Sequence, residues 1–122
     1  MDTNKILIVD DEPLTCRLIA KILTLQGYTP LALTDGQRVL EVAEVERPRL
    51  ILMDYHLGAN HGLDVLQALK ANRVSGHIPV IMTSGIDREH EALEAGAEAF
   101  LLKPFDRNEL AAKFEQALSN GP

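Results

Sequence analysis

Five side chains that could do chemistry share one feature of position, because each closely follows a short apolar segment. They are Asp10, Asp11, Asp54, Ser84 and Lys103. Two carboxylates about 4 Å apart repel each other by about 4 kcal/mol at an effective dielectric constant of 20. Clustered carboxylates therefore favour a divalent cation, and oxygen ligands with open positions suit Mg²⁺. One Mg²⁺ and the lysine together neutralise three aspartates, so a carboxylate there can act as a nucleophile toward phosphorus.

The elements that must position these side chains are β-strands alternating with α-helices. Apolar runs predict five strands, at residues 5–9, 29–33, 50–53, 79–82 and 99–102. Helical spacing of apolar residues predicts a helix after each strand, and a polar loop at residues 58–62 precedes the third helix. Alternating strands and helices form a parallel sheet, and uninterrupted apolar strands indicate helices on both of its faces. The sequence therefore predicts an α/β fold, a doubly wound sandwich of three layers.

Polar residues ahead of the apolar runs predict where three of the helices begin. Thr34 and Asp35 can cap the second helix, with Gln37 three residues after Thr34 as in a capping box. Asp106 with Glu109 has the same capping-box spacing, and Asp87 can cap a short fourth helix. In such sheets ligands bind outside the carboxyl ends of the strands. The five chemically active side chains are therefore expected to meet at one edge of the sheet.

Composition and charge limit the class of protein. The chain has 122 residues, of which 46% are hydrophobic and 25% charged, as expected of one soluble domain. We predict that the domain covers residues 1–118 and that residues 119–122 are a tail or the start of a linker. A net charge of −6 and 4% aromatic residues disfavour direct nucleic acid binding. No apolar run approaches the ~20 residues of a membrane span, so no membrane contact is expected. The single cysteine, Cys16, cannot form an internal disulfide and favours the cytoplasm.

Four motifs give this chain a resemblance to a known family along nearly its whole length. They are Ile8-Val9-Asp10-Asp11-Glu12-Pro13, Met53-Asp54 with Gly62, Pro79 to Gly85, and Gly96-Ala97 with Leu102-Lys103-Pro104-Phe105. In this order they resemble a receiver domain of bacterial two-component response regulators, of the chemotaxis-regulator type. The resemblance implies a flavodoxin-like sheet of five parallel strands in the order 2-1-3-4-5, with five helices.

The resemblance also implies roles for individual residues. The three catalytic positions would be Asp54 as phosphoacceptor, Lys103 as its cationic partner and Ser84 as the switch hydroxyl. Mg²⁺ would be bound by Asp11, Asp54 and the main-chain carbonyl of His56, with Asp10 close by or acting through water. Phe100 would be the aromatic switch residue, although it lacks the hydroxyl of a tyrosine. Thr83 stands where the family usually has an apolar residue, so the switch role is assigned to Ser84.

The implied function is a phosphorylation-dependent signalling switch. A sensor histidine kinase or a phosphotransfer protein would phosphorylate Asp54, and the face formed by the fourth helix, fifth strand and fifth helix would control a downstream effector domain or protein. The domain would be no enzyme beyond its own phosphotransfer and autodephosphorylation, and a homodimer is compatible with this role. One departure from the family lies between Ser84 and Gly96, which is shorter than the family norm by roughly one helical turn.

Alternative functions are less well supported by the sequence. The main rival is a receiver-like protein-interaction module that works without phosphorylation. A nucleotide-binding enzyme would need a glycine-rich loop after the first strand, where Asp10 to Pro13 contain no glycine. An aspartyl phosphatase would usually carry a cap insertion, for which the chain is too short. His56 and His61 lie five residues apart, but four histidines and one cysteine give a zinc site little support.

Overall fold

The central feature of the computed structural model, which describes residues 4–119, is a parallel sheet of five strands. The strands are β1 (Lys5–Val9), β2 (Thr29–Leu33), β3 (Leu50–Asp54), β4 (Val80–Ser84) and β5 (Ala99–Leu102). Their order across the sheet is β2-β1-β3-β4-β5, and all four neighbouring pairs are parallel. The predicted doubly wound, flavodoxin-like order 2-1-3-4-5 is confirmed.

Within the described residues, one α-helix follows each of the five strands, as the sequence predicts. The helices are α1 (Pro13–Leu25), α2 (Val39–Glu46), α3 (Gly62–Ala71), α4 (Glu89–Glu94) and α5 (Arg107–Ser119). Short 3₁₀ turns lie at Gly36–Arg38 and Ser75–His77. Helix α5 includes Ser119, the first residue of the predicted tail, whereas residues 120–122 lie outside the described part of the chain. Across residues 4–119, no helix has the length and hydropathy required to cross a membrane.

The two faces of the sheet carry separate hydrophobic cores. Successive side chains of a strand point to opposite faces, so in β1 Ile6 and Ile8 pack on one side and Leu7 and Val9 on the other. Helices α1 and α5 cover the first side, and α2, α3 and α4 cover the second. All four of these strand residues are at most 1% exposed, and burial of one such side chain contributes about 1.5–3 kcal/mol. The predicted three layers follow from this division.

One predicted capping box forms and the other does not. At α5, the Asp106 N–H donates to Glu109 Oε1 at 3.1 Å, and the Glu109 N–H donates to Asp106 Oδ1 at 2.8 Å. Of the two caps predicted before the second helix, Asp35 is confirmed, because its Oδ1 accepts the Gln37 N–H at 2.9 Å, and the capping box of Thr34 with Gln37 is wrong. Asp35 has an extended backbone (φ −107°) and caps a 3₁₀ turn that precedes α2. The cap therefore lies one residue later than the capping-box spacing predicts.

The segment predicted as a polar loop before α3 contains a small hairpin. His56–Leu57 pairs antiparallel with Asn60–His61, so only two residues form the turn. Gly58 in that turn has φ +64°, a left-handed conformation that glycine adopts at little cost and that two-residue hairpin turns require. The hairpin begins two residues after Asp54 and belongs to the edge of the sheet where the acidic residues lie.

Candidate functional site

The register of the central strands brings the predicted carboxylates together. Val9 in β1 is level with Met53 in β3, so the residues that follow them, Asp10 and Asp54, lie side by side. Carboxylate oxygens of Asp10, Asp11 and Asp54 all lie within 4.8 Å of one another. Asp10 and Asp54 are buried, whereas Asp11 is exposed to solvent. This arrangement has one open side, as a metal site that must also admit a phosphoryl donor requires.

Lys103 completes this cluster, which we call the acidic pocket (Asp10, Asp11, Asp54 and Lys103). Its Nζ lies 2.9 Å from Asp10 Oδ2 and 3.3 Å from Asp54 Oδ2. The Lys103 main-chain N–H donates to the Ser84 carbonyl at 2.8 Å, which extends the pairing of β4 and β5 by one residue and aims the side chain. Lys103 thus contacts Asp54 as the resemblance implies, but its shorter contact is with Asp10.

The electrostatics of the pocket favour an additional positive charge. Burial raises the pKa of the Asp54 carboxyl, and the charge of Asp10 adds to this, while Lys103 opposes it. For Lys103, burial lowers the pKa, but its hydrogen bond to Asp10 and the charges of Asp54 and Asp10 outweigh burial and raise it. The lysine therefore stays protonated, and it does not fully compensate the buried carboxylates. A divalent cation would supply the missing charge.

Gly62 explains how the backbone at Asp54 reaches its position. The Gly62 N–H donates to the Tyr55 carbonyl at 2.8 Å. A Cβ at residue 62 would lie 2.6 Å from the carbonyl oxygens of both Asp54 and Tyr55. Such distances are prohibitive for main-chain atoms, so only glycine permits the start of α3 to pack directly under the strand end. The glycine that the resemblance places eight residues after Asp54 therefore has a steric function.

Ser84 and Phe100 lie on the opposite face of the sheet from Lys103, next to α4. Strand β4 extends to Ser84, two residues further than predicted, and both Thr83 and Ser84 are buried. Ser84 follows Val80 and Met82 on one face, the face on which Phe100 also packs, 4% exposed. The Ser84 hydroxyl oxygen accepts the Ile86 N–H at 3.1 Å, which leaves its hydrogen able to donate elsewhere.

Thr83 occupies a different environment from Ser84. It is level with Asp54 in the register of β3 and β4, so its side chain lies on the face of the acidic pocket. The Tyr55 N–H donates to the Thr83 carbonyl at 2.8 Å. Two buried hydroxyls thus follow the apolar part of β4, one on each face of the sheet.

Sequence reasoning missed a polar cluster beside the phosphoacceptor position. The Tyr55 hydroxyl donates to Glu91 Oε2 at 3.1 Å, and the Arg88 guanidinium lies 4.7 Å from the centre of the Tyr55 ring. Arg88 Nη1 also lies 3.7 Å from Glu91 Oε1. These contacts tie the residue after Asp54 to the start of α4. Helix α4 has only six residues, in line with the short segment between Ser84 and Gly96, and the hydrophobic period that would reveal its contacts is too short to read.

The fold and this edge define a class: a doubly wound α/β domain with three carboxylates and a lysine at the carboxyl ends of its strands. The sequence matches the response regulator receiver domain family over residues 6–115, and the chain belongs to that family. Its relatives include the alkaline phosphatase synthesis transcriptional regulatory protein PhoP of Bacillus subtilis, 33% identical over 118 residues, which are 94% of this chain and 48% of PhoP. The phosphate regulon regulator PhoB of Pseudomonas aeruginosa is 34% identical over 93% of this chain and 51% of PhoB.

Solved structures of receiver domains share the architecture. The receiver domain of the sensor histidine kinase PA1611 from Pseudomonas aeruginosa, with magnesium coordinated in its active site cleft, superposes with a TM-score of 0.85 at 28% identity, covering 95% of this chain and 98% of that one. The BeF₃-activated receiver domain of Klebsiella pneumoniae RstA gives a TM-score of 0.85 at 28% identity, covering 94% and 98%. This chain is therefore a receiver domain of a two-component system, a phosphorylation-dependent signalling switch and not a classical enzyme.

Proposed function

We propose that Asp54 is the phosphoacceptor of this receiver domain and takes its phosphoryl group from a phosphohistidine of a sensor histidine kinase or phosphotransfer protein. The observation that carries the proposal is the acidic pocket, in which Asp54, at the end of the middle strand β3, lies beside two carboxylates and 3.3 Å from Lys103 Nζ. In the transfer, an Asp54 carboxylate oxygen forms a bond to phosphorus as the bond from phosphorus to the imidazole nitrogen breaks. The ring nitrogen leaves with the electron pair of that bond.

Mg²⁺ is the cofactor of the proposed site. The donors fit a hard cation, because three carboxylates converge within 4.8 Å and burial already disfavours the charged form of Asp54. Asp11, Asp54 and the carbonyl of His56 would bind the ion directly, with Asp10 beside it or acting through water. When bound, the ion compensates negative charge on the pocket and on the phosphoryl oxygens. Magnesium in the cleft of the PA1611 receiver domain supports this assignment.

Lys103 and Ser84 are the residues proposed to contact the phosphoryl oxygens. Lys103 lies 3.3 Å from Asp54 and would move to the phosphoryl oxygens once they are present, since they carry more charge. Ser84 would donate its hydroxyl to another phosphoryl oxygen, and Phe100 would move with it. Slow hydrolysis of the phosphoryl group by the domain itself completes the proposed cycle of self-directed phosphotransfer and autodephosphorylation.

The proposed partners are those that the receiver domain family suggests. The chain spans about half the length of PhoP and PhoB. The proposed target is a downstream effector domain or a separate protein. The face formed by α4, β5 and α5 would contact it, and this face could also form a homodimer. We propose a cytoplasmic location and no direct binding of nucleic acid or membrane by this domain, whose net charge is −6.

Phosphorylation with a small acyl phosphate tests the proposal directly. Incubated with Mg²⁺ and the donor, the parent protein should gain one phosphoryl group by intact mass, and Asp54→Asn should gain none. Asp35→Asn, which changes an exposed carboxylate at the cap before α2, serves as the matched control and should be labelled like the parent. Equal labelling of Asp54→Asn would refute the assignment. No labelling of the parent would favour the interaction module that works without phosphorylation.

A further inference from the structure

Two histidines of the hairpin after Asp54 lie directly opposite each other. In the antiparallel pairing of His56–Leu57 with Asn60–His61, His56 is the register partner of His61. Residues that are directly opposite in such a pair project their side chains to the same face. The sequence spacing of five residues gave no indication of this, since it is the two-residue turn that folds the segment back.

The hydrogen bonds show that this is the closer of the two kinds of antiparallel pair. The Gly62 N–H, one residue beyond His61, donates to the carbonyl of Tyr55, one residue before His56. A bond in that position flanks a non-hydrogen-bonded pair, in which the Cα atoms are about 4.5 Å apart and the side chains are closest. Two imidazoles at such a pair can therefore direct one nitrogen each to a common point.

Both imidazoles are available for a ligand. His56 and His61 are exposed, and His61 does not use its side chain to cap α3. Within residues 4–119, neither imidazole takes part in a hydrogen bond or an ion pair, and the His56 ring lies edge-on to Tyr55, with ring centres 5.1 Å apart. By contrast, the imidazole of His90 is engaged by Glu94 at 3.0 Å.

We propose that His56 and His61 form a two-histidine site for a divalent transition ion, of which Zn²⁺ and Cu²⁺ are the representatives tested below. Neutral imidazole nitrogens bind these ions at about 2 Å but are poor ligands for Mg²⁺. The site is thus chemically distinct from the acidic pocket, whose donors are oxygens. Water would fill the other coordination positions, because the pair faces solvent.

A bound ion would link this site to the phosphoacceptor through the hairpin. The turn of the hairpin lies against the acidic pocket, since a Cβ built on Gly58 would be 3.9 Å from Asp11 Oδ2. An ion that cross-links His56 to His61 fixes the two strands to each other and stabilises the folded hairpin by mass action. A bound transition ion would therefore make the hairpin, which carries the His56 carbonyl, more rigid.

Titration of the whole chain with Zn²⁺ in excess Mg²⁺ tests the proposal, because Mg²⁺ competes for the acidic pocket and not for imidazole. Zn²⁺ should bind with a stoichiometry of one, and His56→Ala and His61→Ala should each weaken binding at least tenfold. His77→Ala removes an exposed imidazole from the 3₁₀ turn and should bind like the parent. Cu²⁺ should show coupling to two imidazole nitrogens by electron paramagnetic resonance in the parent and to fewer in each hairpin variant.

Three outcomes would overturn the proposal. The first is the absence of Zn²⁺ binding to the parent. The second is binding that survives both hairpin substitutions and is lost in Asp11→Ala, which would place the ion in the acidic pocket. The third is loss in only one of the two hairpin variants, which would exclude a shared ion. Thermal unfolding of each variant without transition ions should match the parent, and this measurement excludes misfolding as the cause of a loss.

Discussion

The two faces of the sheet differ in electric charge at the edge where the strands end. On the side of α1 and α5, the acidic pocket holds three carboxylates around one lysine. On the side of α4, which we call the switch face, Ser84 and Phe100 are uncharged, buried and already packed or hydrogen-bonded. The first region has an excess of negative charge that a ligand must neutralise. The second has no such excess, so a change there is governed by small differences in contact energy.

This difference in charge predicts how strongly each face responds when a cation or a phosphoryl group is bound. A cation or a compensated phosphoryl group relieves the repulsion within a cluster of like charges. The free energy of ligand binding in the acidic pocket should therefore be large. The switch face gains only a hydrogen bond and a change in apolar burial, typically about 1–3 kcal/mol of coupling. Substitutions in the acidic pocket should therefore have large effects on binding, and substitutions on the switch face should have small effects on coupling.

The largest effect is expected for Asp11→Ala. Loss of a residue that hydrogen-bonds a metal ligand typically weakens metal binding about 10–100-fold. Because Asp11 is proposed to bind the ion directly, its loss should weaken Mg²⁺ binding about 100-fold or more, about 2.8 kcal/mol. Phosphorylation by an acyl phosphate should fall with it, while the fold survives or is stabilised, because like-charge repulsion is relieved. Mg²⁺ titration followed by calorimetry or NMR measures the affinity. Glu115→Ala, an exposed acid on α5, is the control for net charge; an unchanged affinity in Asp11→Ala would contradict the site.

Gly62→Ala should give the next largest effect, and it acts on the frame of the acidic pocket. The new Cβ would meet two main-chain carbonyls at 2.6 Å, so the backbone at Asp54 must move, at a cost of about 1–3 kcal/mol. Denaturant unfolding measures this cost. Gly85→Ala is the matched control, since a Cβ there meets nothing within 4 Å, and it should change stability by less than about 0.5 kcal/mol. Equal stability of the two variants would show that the close approach at Gly62 is not restrictive.

Asp54→Asn should stabilise the protein at neutral pH without Mg²⁺. Burial raises the pKa of Asp54 in the folded state, so the ionised carboxyl is less favourable there than in the unfolded chain. This penalty is present above the folded pKa and vanishes as pH falls below the unfolded pKa of about 3.9. The gain should therefore be of the size of an ordinary substitution, about 1 kcal/mol, near pH 7 and disappear toward pH 4. Unfolding free energies measured at several pH values test it; a destabilised variant at pH 7 would mean that the attraction to Lys103 outweighs burial.

The sequence predicts the frame of this molecule better than its local contacts. The helix after each strand and the carboxylate cluster follow from apolar periodicity and from the rule that ligands bind at the carboxyl ends of parallel strands, whereas the strand order is implied by the resemblance to receiver domains. The sequence does not decide which of Thr34 and Asp35 is the cap, and it predicts neither the hairpin nor the contacts of Tyr55 with Arg88 and Glu91. The cap and the hairpin depend on turn geometry. Tyr55 is 33 residues from Arg88 and 36 residues from Glu91, and contacts over such separations leave no periodic pattern in the sequence.

The smallest expected effect lies on the switch face, in Ser84→Ala. The Ser84 oxygen already accepts the Ile86 N–H, so its own hydrogen is the group that can reach a phosphoryl oxygen. Moving Ser84 toward Asp54 would free space on the face where Phe100 packs, and Phe100 could follow. Because Phe100 lacks a hydroxyl and is already 4% exposed, its two positions differ mainly in apolar burial, and the coupling should be near the lower limit, about 1 kcal/mol.

NMR on the two hydroxyl variants separates the faces. Ser84→Ala should still be phosphorylated on Asp54, but a phosphoryl mimic should no longer shift the signals of Phe100 and Leu101. Thr83→Val is the matched control, because Thr83 lies level with Asp54 on the face of the acidic pocket and not beside Phe100. It should retain the shifts of the parent. If Ser84→Ala retains them and Thr83→Val loses them, the hydroxyl that reads the phosphoryl group is Thr83, and coupling between the faces must pass through the strand itself.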